Sequence, residues 1–216
     1  MADSESQGIS VMLDVTGWRV LIVGGGAVAA RRAEALLKAG AEVAVVAPSF
    51  EERLDGLAVR RIEARYDPAQ HALTHYRLVV IATDDPATNA LVAAEWAELS
   101  NPPLCNRADA GDAGDLTFMA THRDGPLTLA VSTGGASASA AAAIRDDLAA
   151  KLDPCWPGVL IEARAARQEI QQQIQDPAKR SGLLGRLTDD AALAVYRAGG
   201  AEALRNHYRD IMRGSR

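Results

Sequence analysis

Residues 17–40 read GWRVLIVGGGAVAARRAEALLKAG, in which an apolar run, a glycine cluster and a helical pattern follow one another without a gap. The apolar run at residues 18–23 predicts a buried strand. The apolar spacing over residues 27–39 predicts a helix, and Gly40 is typical of its C-terminal stop. Glycines packed this tightly between a strand and a helix indicate a turn at which the backbone passes close to another group.

The residues that follow repeat the alternation of strand and helix. Asp85 and Pro86 have the residue types that open a helix, as N-cap and first helical residue, and Ser49 with Glu52 has the spacing of a capping box. The alternation favours an α/β fold, a Rossmann-like doubly wound parallel sheet. Further apolar runs predict its other strands at residues 42–47, 59–64, 77–82 and 103–106.

Beyond residue 116 the pattern changes to a hairpin and then to helices. Strand-like runs at residues 116–123 and 127–133 meet at Asp124-Gly125, which is a strong hairpin signal. A helix is predicted at residues 137–152, and everything from Pro157 onward has a helical pattern. Breaks are expected at residues 176–177, 182–185 and 199–200, with Thr188 as a helix cap. The predicted regions are an α/β domain at 1–116, a strand-plus-helix segment at 117–152 and a helical region at 153–216.

The composition is that of a globular protein, with 48% hydrophobic and 24% charged residues among 216. The formal net charge of −5 gives no reason to expect nucleic acid, and no apolar run approaches the roughly 18 residues that a membrane span needs. The N-terminal residues lack the basic and apolar regions of a signal peptide, and Cys105 and Cys155 are too few for a disulfide framework. We therefore expect a cytoplasmic protein with neither a nucleic-acid nor a membrane partner.

The glycine turn matches the pattern G-x-G-x-x-A through Gly24, Gly26 and Ala29. The first glycine permits the tight turn, the second has no side chain to hold a pyrophosphate away, and the alanine lets helix and strand pack closely. Unpaired N–H groups at the helix N-terminus would attract the phosphates of NAD. The alternative is a tight turn without a ligand. The predicted cofactor-binding residues of the turn are Gly24, Gly25, Gly26, Ala27 and Val28.

The second strand ends without the acidic residue that normally holds the ribose hydroxyls of a dinucleotide. Ala47 and Pro48 stand at that end and are predicted to line the cofactor. Ser49 has two interpretations, a weak ribose contact or a helix cap, and the cap is favoured. No arginine stands at the turn to bind a 2′-phosphate, because Arg53 lies a helical turn further on, and NAD is therefore favoured over NADP.

Four segments occur in order over roughly residues 10–155: GWRVLIVGGGAVAARRAEALLKAGAEVAVVAP, VVIATDDPATNALV, LCNRAD and LTLAVSTGGASASAAAAIRDDL. Together they resemble the siroheme synthase family, the precorrin-2 dehydrogenase/sirohydrochlorin ferrochelatase proteins. The resemblance implies NAD-dependent oxidation of precorrin-2 to sirohydrochlorin in siroheme or cobalamin biosynthesis. It also implies a homodimer formed through the segment after the Rossmann domain. Many members insert ferrous iron into sirohydrochlorin as well.

Two alternative functions stay open at this stage. One is a dehydrogenase without chelatase activity. The other, of a different class, is a dinucleotide-sensing regulatory module, which would need neither a catalytic aspartate nor a dimerisation segment.

The resemblance assigns the catalytic role to Asp109, because CNRAD at residues 105–109 matches the family's C-N-x-x-D run. This position follows the fifth strand, where open α/β sheets bind their ligands, and a carboxylate there can accept the proton lost when a hydride leaves. The same carboxylate would take pyrrole N–H protons as a metal enters. By residue type alone, Asp112 and Asp115 are equally suited.

Further site residues rest on the same resemblance. Thr83, in the family's A-T-x-D stretch, and Asn106 are predicted to face the cofactor. The residues predicted to bind a substrate carboxylate are Ser132, Thr133, Gly134, Gly135 and Ser137. The alternative for Ser137 is a cap of the following helix. Ala120 and Ala138 stand where the family usually has proline.

No permanent metal site is predicted, because the histidines are scattered along the chain. His122 is the one candidate, and His71, His75 and His207 are predicted to lie on the surface. The tetrapyrrole substrate carries many carboxylates, so a set of basic side chains is expected to steer it. That set is Arg31, Arg32, Arg107, Arg123 and Arg145.

Overall fold

The computed structural model describes residues 8–110 and 113–214. The chain divides into two compact units, and the boundary follows Phe118. The hairpin segment and the helical tail both belong to the second unit. A separate role for residues 117–152 stays a prediction.

The first unit is built on a parallel sheet. Its strands are β1 (Arg19–Val23), β2 (Glu42–Ala47), β3 (Arg60–Glu63), β4 (Leu78–Ile81) and β5 (Leu104–Arg107). They pair in the order β3-β2-β1-β4-β5, each parallel to its neighbour. The central strands are buried on both faces, which is why they have continuous apolar sequences instead of alternating ones.

Helices cover both faces of this sheet. Helix α1 (Ala27–Lys38) packs on one face through Ala29 and Ala33, which are fully buried. Helix α2 (Pro86–Glu98) covers the opposite face with the buried side chain of Val92. Two short 3-10 helices, Glu52–Leu54 and Leu73–His75, precede α2 in the chain. The predicted Rossmann-like doubly wound α/β fold is confirmed.

The second unit contains an antiparallel hairpin and four helices in its described part. The strands are β6 (Ala120–Asp124) and β7 (Leu127–Val131), and Gly125 in the turn between them has φ 53°. The helices are α3 (Ala138–Ala150), α4 (Trp156–Gln173), α5 (Pro177–Gly185) and α6 (Asp190–Arg213), with a 3-10 helix at Arg186–Thr188. Helix α3 packs on both strands of the hairpin, and α4 packs along α6.

Two predicted helix caps are wrong. The 3-10 helix after β2 is preceded by Glu51, and no side chain caps it, so Ser49 and Glu52 form no capping box. Thr188 is the last residue of a 3-10 helix, and Asp189 caps α6 instead, its carboxylate accepting from Ala192 N at 2.9 Å. Thr and Asp are both good N-caps, so the sequence alone does not decide which of two neighbouring residues caps the helix.

The predicted breaks in the helical region are partly correct. Asp176 and Pro177 do begin α5, and Gly200 does interrupt α6, with φ 65° and ψ −158°. The break predicted at residues 182–185 is correct only at its last position, because these residues belong to α5, which ends at Gly185. Asp85 caps α2 as predicted, accepting from Ala87 N. Within the described residues, none of the helices combines the length and apolarity that crossing a membrane requires.

Candidate active site

The loops after β1, β2, β4 and β5 gather at one edge of the sheet, because parallel strands end on the same side. Strands β2 and β3 lie on one side of β1, and β4 and β5 lie on its other side. The direction in which successive strands are added therefore reverses at β1. Open α/β sheets bind their ligands in the crevice at such a reversal. The glycine turn lies there, as do the residues that follow β4 and β5.

The first two glycines of the turn are required by packing within the protein. Gly24 has φ 125°, and a Cβ on it would collide with the carbonyl oxygen of Ala82, after β4. A Cβ on Gly25 would collide with the carbonyl oxygen of Ser49 and lie 2.8 Å from the Cβ of Ala47. Backbone hydrogen bonds fix this contact, from Gly24 N to Val46 O at 2.9 Å and from Glu51 N to Gly25 O at 2.8 Å.

Gly26 differs from its two neighbours, because a Cβ there would meet no atom of the described residues within 4 Å. It is the N-cap residue of α1, which has no side-chain cap and no acidic residue in its first turn. The first-turn N–H groups of a helix have no acceptor within the helix, and they carry its partial positive charge. Gly26 and Ala27 are exposed and Val28 is partly so, so an anion can approach these groups. The turn therefore fits the pyrophosphate of a dinucleotide.

Thr83 uses its side chain to fix the loop after β4. Its hydroxyl donates to Asn89 Oδ1 at 2.6 Å and accepts from Asp85 N at 3.1 Å, while Asn89 Nδ2 donates to Thr83 O at 3.1 Å. The role of Thr83 as a cofactor contact stays a prediction. Among the remaining predicted cofactor residues, Ala47 is buried against the glycine turn and Pro48 is exposed.

Asn106 is buried in β5 and offers a free acceptor. Its Nδ2 donates to Leu116 O at 2.9 Å, and its Oδ1 is buried without a partner among the described residues. A buried amide oxygen without a donor is costly unless a ligand or water supplies one. The adjacent Cys105 is fully buried, and burial raises the pKa of its thiol to about 11.

Asp109 is held by a bidentate ion pair with Arg107. The Arg107 Nε lies 3.2 Å from Asp109 Oδ1, and its Nη2 lies 2.7 Å from Oδ2. The two side chains are only 20% and 25% exposed. The hydrogen bonds from Arg107 lower the pKa of Asp109, and Asn89 contributes a smaller effect in the same direction. The carboxylate is therefore ionised and fixed in orientation just beyond the end of β5.

Asp112 and Asp115, the alternatives to Asp109, differ from it in what the structure shows. Asp115 has a structural task, since its Oδ2 accepts from Cys105 N at 3.0 Å and so extends the hydrogen bonding of β5. Asp112 lies outside the described residues. The sequence analysis missed Asn89, which is 4% exposed and forms two hydrogen bonds with Thr83 in the loop after β4. Its only sequence signal is an amide one helical turn after the start of α2.

The turn at residues 132–137 lies in the second unit, and its hydroxyls bond within the turn. Thr133 Oγ1 accepts from Ser137 N at 3.1 Å, and Ser132 Oγ accepts from Gly134 N at 3.2 Å. Ser137 Oγ accepts from Ala140 N at 3.1 Å and so caps α3, as the alternative interpretation predicted. Gly134 and Gly135 have φ 60° and 85°. The binding of a substrate carboxylate by this turn stays a prediction.

The histidines have different environments. The surface prediction for His71 is wrong, because this residue is 6% exposed and its Nδ1 accepts from Asp67 N at 2.9 Å. His207 is partly buried, and its Nε2 lacks a partner among the described residues. His75 is exposed and His122 is partly buried. The described residues contain no group of three or more His, Cys, Asp or Glu side chains that could hold a metal ion.

The basic side chains proposed to steer the substrate are partly occupied. Arg107 pairs with Asp109, and Arg145 pairs with Asp146 at 2.6 Å. Arg32 lies 4.3 Å from the centre of the Phe118 ring, and burial, with the nearby charge of Arg31, lowers its pKa to about 10. Steering by these arginines stays a prediction.

The sheet order, the glycine turn and the open helix N-terminus define a dinucleotide-binding α/β protein. Residues 11–120 match a family described as putative NAD(P)-binding. A precorrin-2 dehydrogenase from Priestia megaterium is 30% identical over 184 residues, which cover 84% of this chain and 89% of that protein. A siroheme synthase from Methylococcus capsulatus is 34% identical over 201 residues, covering 90% of this chain. The chain belongs to the precorrin-2 dehydrogenase and siroheme synthase family.

A solved structure supports this placement. SirC, a precorrin-2 dehydrogenase, superposes with a TM-score of 0.77 at 26% identity, over 94% of this chain and 100% of that one. The chain spans only 41% of the Methylococcus capsulatus siroheme synthase and 36% of a siroheme synthase from Pseudomonas putida.

The contrast between Gly24 and Gly26 gives a first prediction. Gly26→Asp should leave the melting temperature nearly unchanged, because its Cβ has open space, and should abolish NAD binding, since a carboxylate would stand where the phosphates approach. Gly24→Ala should instead lower the melting temperature by several degrees, because φ 125° and the Ala82 carbonyl exclude a side chain. Calorimetric titration with NAD and thermal unfolding measure the two effects. Undiminished NAD affinity in Gly26→Asp would refute the assignment.

Proposed function

We propose that this protein is an NAD-dependent precorrin-2 dehydrogenase that forms sirohydrochlorin. The observation that supports this most directly is the arrangement at one sheet edge. An open helix N-terminus fits a dinucleotide, and an ionised carboxylate is fixed beyond the end of β5. Family membership supplies the substrate class. We place the enzyme in the cytoplasm, since both cysteines are free thiols.

The reaction removes a hydride and a proton from the macrocycle and forms one new double bond. Bound NAD would supply the hydride acceptor. Asp109 would take the proton through one carboxylate oxygen, while Arg107 stays hydrogen-bonded to the other. Asn89 would hold the loop after β4 in place through its hydrogen bonds with Thr83. Asn106, in β5, would lie on the cofactor side of the site.

Insertion of ferrous iron into sirohydrochlorin is a second activity that the same carboxylate would serve. Entry of the divalent ion displaces two N–H protons from the macrocycle, and an ionised, positioned carboxylate can accept them in turn. Loss of both activities in one Asp109 variant would support a bifunctional enzyme, and chelatase activity absent from the wild type would support the monofunctional alternative.

Asp109→Ala is expected to lower dehydrogenase turnover on the order of a hundred- to ten-thousand-fold, because a positioned base contributes that much. Affinity for NAD should change little, since the glycine turn is formed by other residues. Turnover is measured from sirohydrochlorin absorbance with precorrin-2 and NAD. A regulatory module would show NAD binding and no turnover in the wild type.

Asp115→Ala is the matched control for this variant. In the wild type the Asp115 carboxylate accepts a hydrogen bond from Cys105 N. The variant should therefore lose about 1 kcal/mol of stability and retain turnover. Normal turnover in Asp109→Ala together with loss in Asp115→Ala would show that the wrong aspartate was assigned.

Arg107 gives a prediction about pH. The base must be ionised, so activity falls as pH drops through the pKa of Asp109, which Arg107 lowers. Arg107→Gln removes both hydrogen bonds and should raise this pKa, which moves the acid limb of kcat/KM to higher pH. Arg107→Lys should move it less because the charge remains. Arg61→Gln, which breaks the Arg61–Asp55 pair, is the control, and an equal displacement there would contradict the assignment.

We also propose that the protein is a homodimer that pairs through residues 117–152. Two apolar side chains one helical turn apart on α3, Ile144 and Leu148, are 46% and 42% exposed. An exposed apolar stripe next to an isolated hairpin is typical of a surface that a partner covers.

The double substitution Ile144→Glu and Leu148→Glu should convert the dimer into a monomer, because it places charges on the apolar stripe. Light scattering should give about twice 22.8 kDa for the wild type and about 22.8 kDa for the variant. Ile161→Glu, on α4 and 57% exposed, is the control and should remain dimeric. A wild-type monomer at micromolar concentration would refute the proposal.

A further inference from the structure

The residues that lead into the first unit carry an apolar face that no described part of the same chain covers. Ile9, Val11, Leu13 and Val15 stand at alternate positions, so in an extended chain they point to one side. Val15 is 5% exposed, whereas Leu13 is 42%, Val11 66% and Ile9 91% exposed. The face is therefore anchored in the core at Val15 and is bare over residues 9–13, which are termed the N-terminal arm.

The backbone of the N-terminal arm is unpaired as well. Residues 8–15 belong to no helix, strand or turn, and residues 9–13 form no hydrogen bond with any other residue that the structure describes. The arm contains neither proline nor a charged residue, the two features by which exposed strands usually avoid pairing. Alternating apolar side chains on an unpaired backbone are typical of a strand that lacks its sheet.

The hairpin of the second unit has the complementary deficiency. Strands β6 and β7 pair with each other over five residues each, and no backbone hydrogen bond joins either strand to another described element. Helix α3 packs on the hairpin but supplies no such bond, so both outer edges are open. A two-stranded sheet gains stability when a further strand pairs with its edge. The N-terminal arm, residues 9–13, matches these strands in length.

We propose that the N-terminal arm of one copy of this chain pairs with an open hairpin edge of a second copy. Backbone hydrogen bonds would join the arm to the edge, and apolar side chains of the partner would cover Ile9 and Val11. A second copy is the partner that fits, because one chain presents both halves of the contact. A two-fold axis repeats the contact, so each arm covers the other subunit's hairpin and the assembly closes at two.

This contact extends the proposed interface at residues 117–152 by a segment from the first unit, and it rests on the proposed homodimer. It also gives the arm a reason to be apolar. An arm that stayed in solvent would gain nothing from three apolar side chains on one face, since their burial is what stabilises a fold or an interface.

Sedimentation equilibrium of the full-length protein tests the contact. The double substitution Ile9→Glu and Val11→Glu places two charges on the apolar face, and the exposure of both positions should let the subunit fold normally. The dimer dissociation constant should rise about a hundredfold or more, because two apolar side chains are no longer buried. Ser10→Glu is the matched control, since it adds a charge between these positions on the opposite side of the arm. It should leave the dissociation constant nearly unchanged.

Hydrogen–deuterium exchange locates the contact on the partner. It is measured at a protein concentration that keeps the wild type and the double variant dimeric. The variant should lose protection in the N-terminal arm and in the hairpin, residues 120–131, and should keep it in β1. Loss in the arm without loss in the hairpin would overturn the proposed position of the arm.

The outcomes separate the arm contact from the homodimer itself. An unchanged dissociation constant in the double variant, or an equal rise in Ser10→Glu, overturns the arm contact and leaves the homodimer in place. A lower melting temperature with unchanged dimerisation would show that the arm packs on its own chain, which also overturns the proposal. Wild-type protein that is monomeric at micromolar concentration overturns the homodimer and the arm contact together.

Discussion

The first unit depends on how closely the glycine turn approaches the chain that follows the two neighbouring strands. Gly24 lies against the Ala82 carbonyl after β4, and Gly25 lies against the Ser49 carbonyl after β2. Side chains at either position would force these strand ends apart, because the colliding atoms are backbone and cannot rotate away. The absence of two Cβ atoms thus lets three parallel strands end within reach of one ligand.

This close approach also determines which groups face the ligand. With Gly24 and Gly25 fixed by packing, Gly26 is placed where α1 begins and space remains open. The loop after β4 is then fixed by Asn89, a buried amide that hydrogen-bonds Thr83, and the carboxylate after β5 is fixed by Arg107. A backbone constraint positions the anion site, and side-chain hydrogen bonds position the groups beside it.

Patterns that depend on local sequence were predictable, and contacts across the fold were not. The strands β1, β2 and β4 are continuous apolar runs because both faces are buried, so their sequences predicted them well. The capping of α6 was misassigned by one residue, since Thr188 and Asp189 satisfy the same chemistry. Asn89 escaped prediction because its importance comes from its burial and from its hydrogen bonds with Thr83, which only three-dimensional packing reveals.

The ion pair between Arg107 and Asp109 imposes a compromise on the proposed chemistry. A carboxylate whose pKa is lowered is a weaker base, and both of its oxygens are engaged. It is, however, ionised at neutral pH and fixed in direction. The carboxylate therefore needs neither to lose a proton nor to rotate before it reacts. Departure of a hydride leaves the macrocycle electron-deficient, which makes the neighbouring proton strongly acidic. A weak base suffices for such a proton, and the fixed negative charge also stabilises the positive charge that develops as the hydride leaves. For this reaction, orientation and ionisation of Asp109 therefore matter more than its basicity.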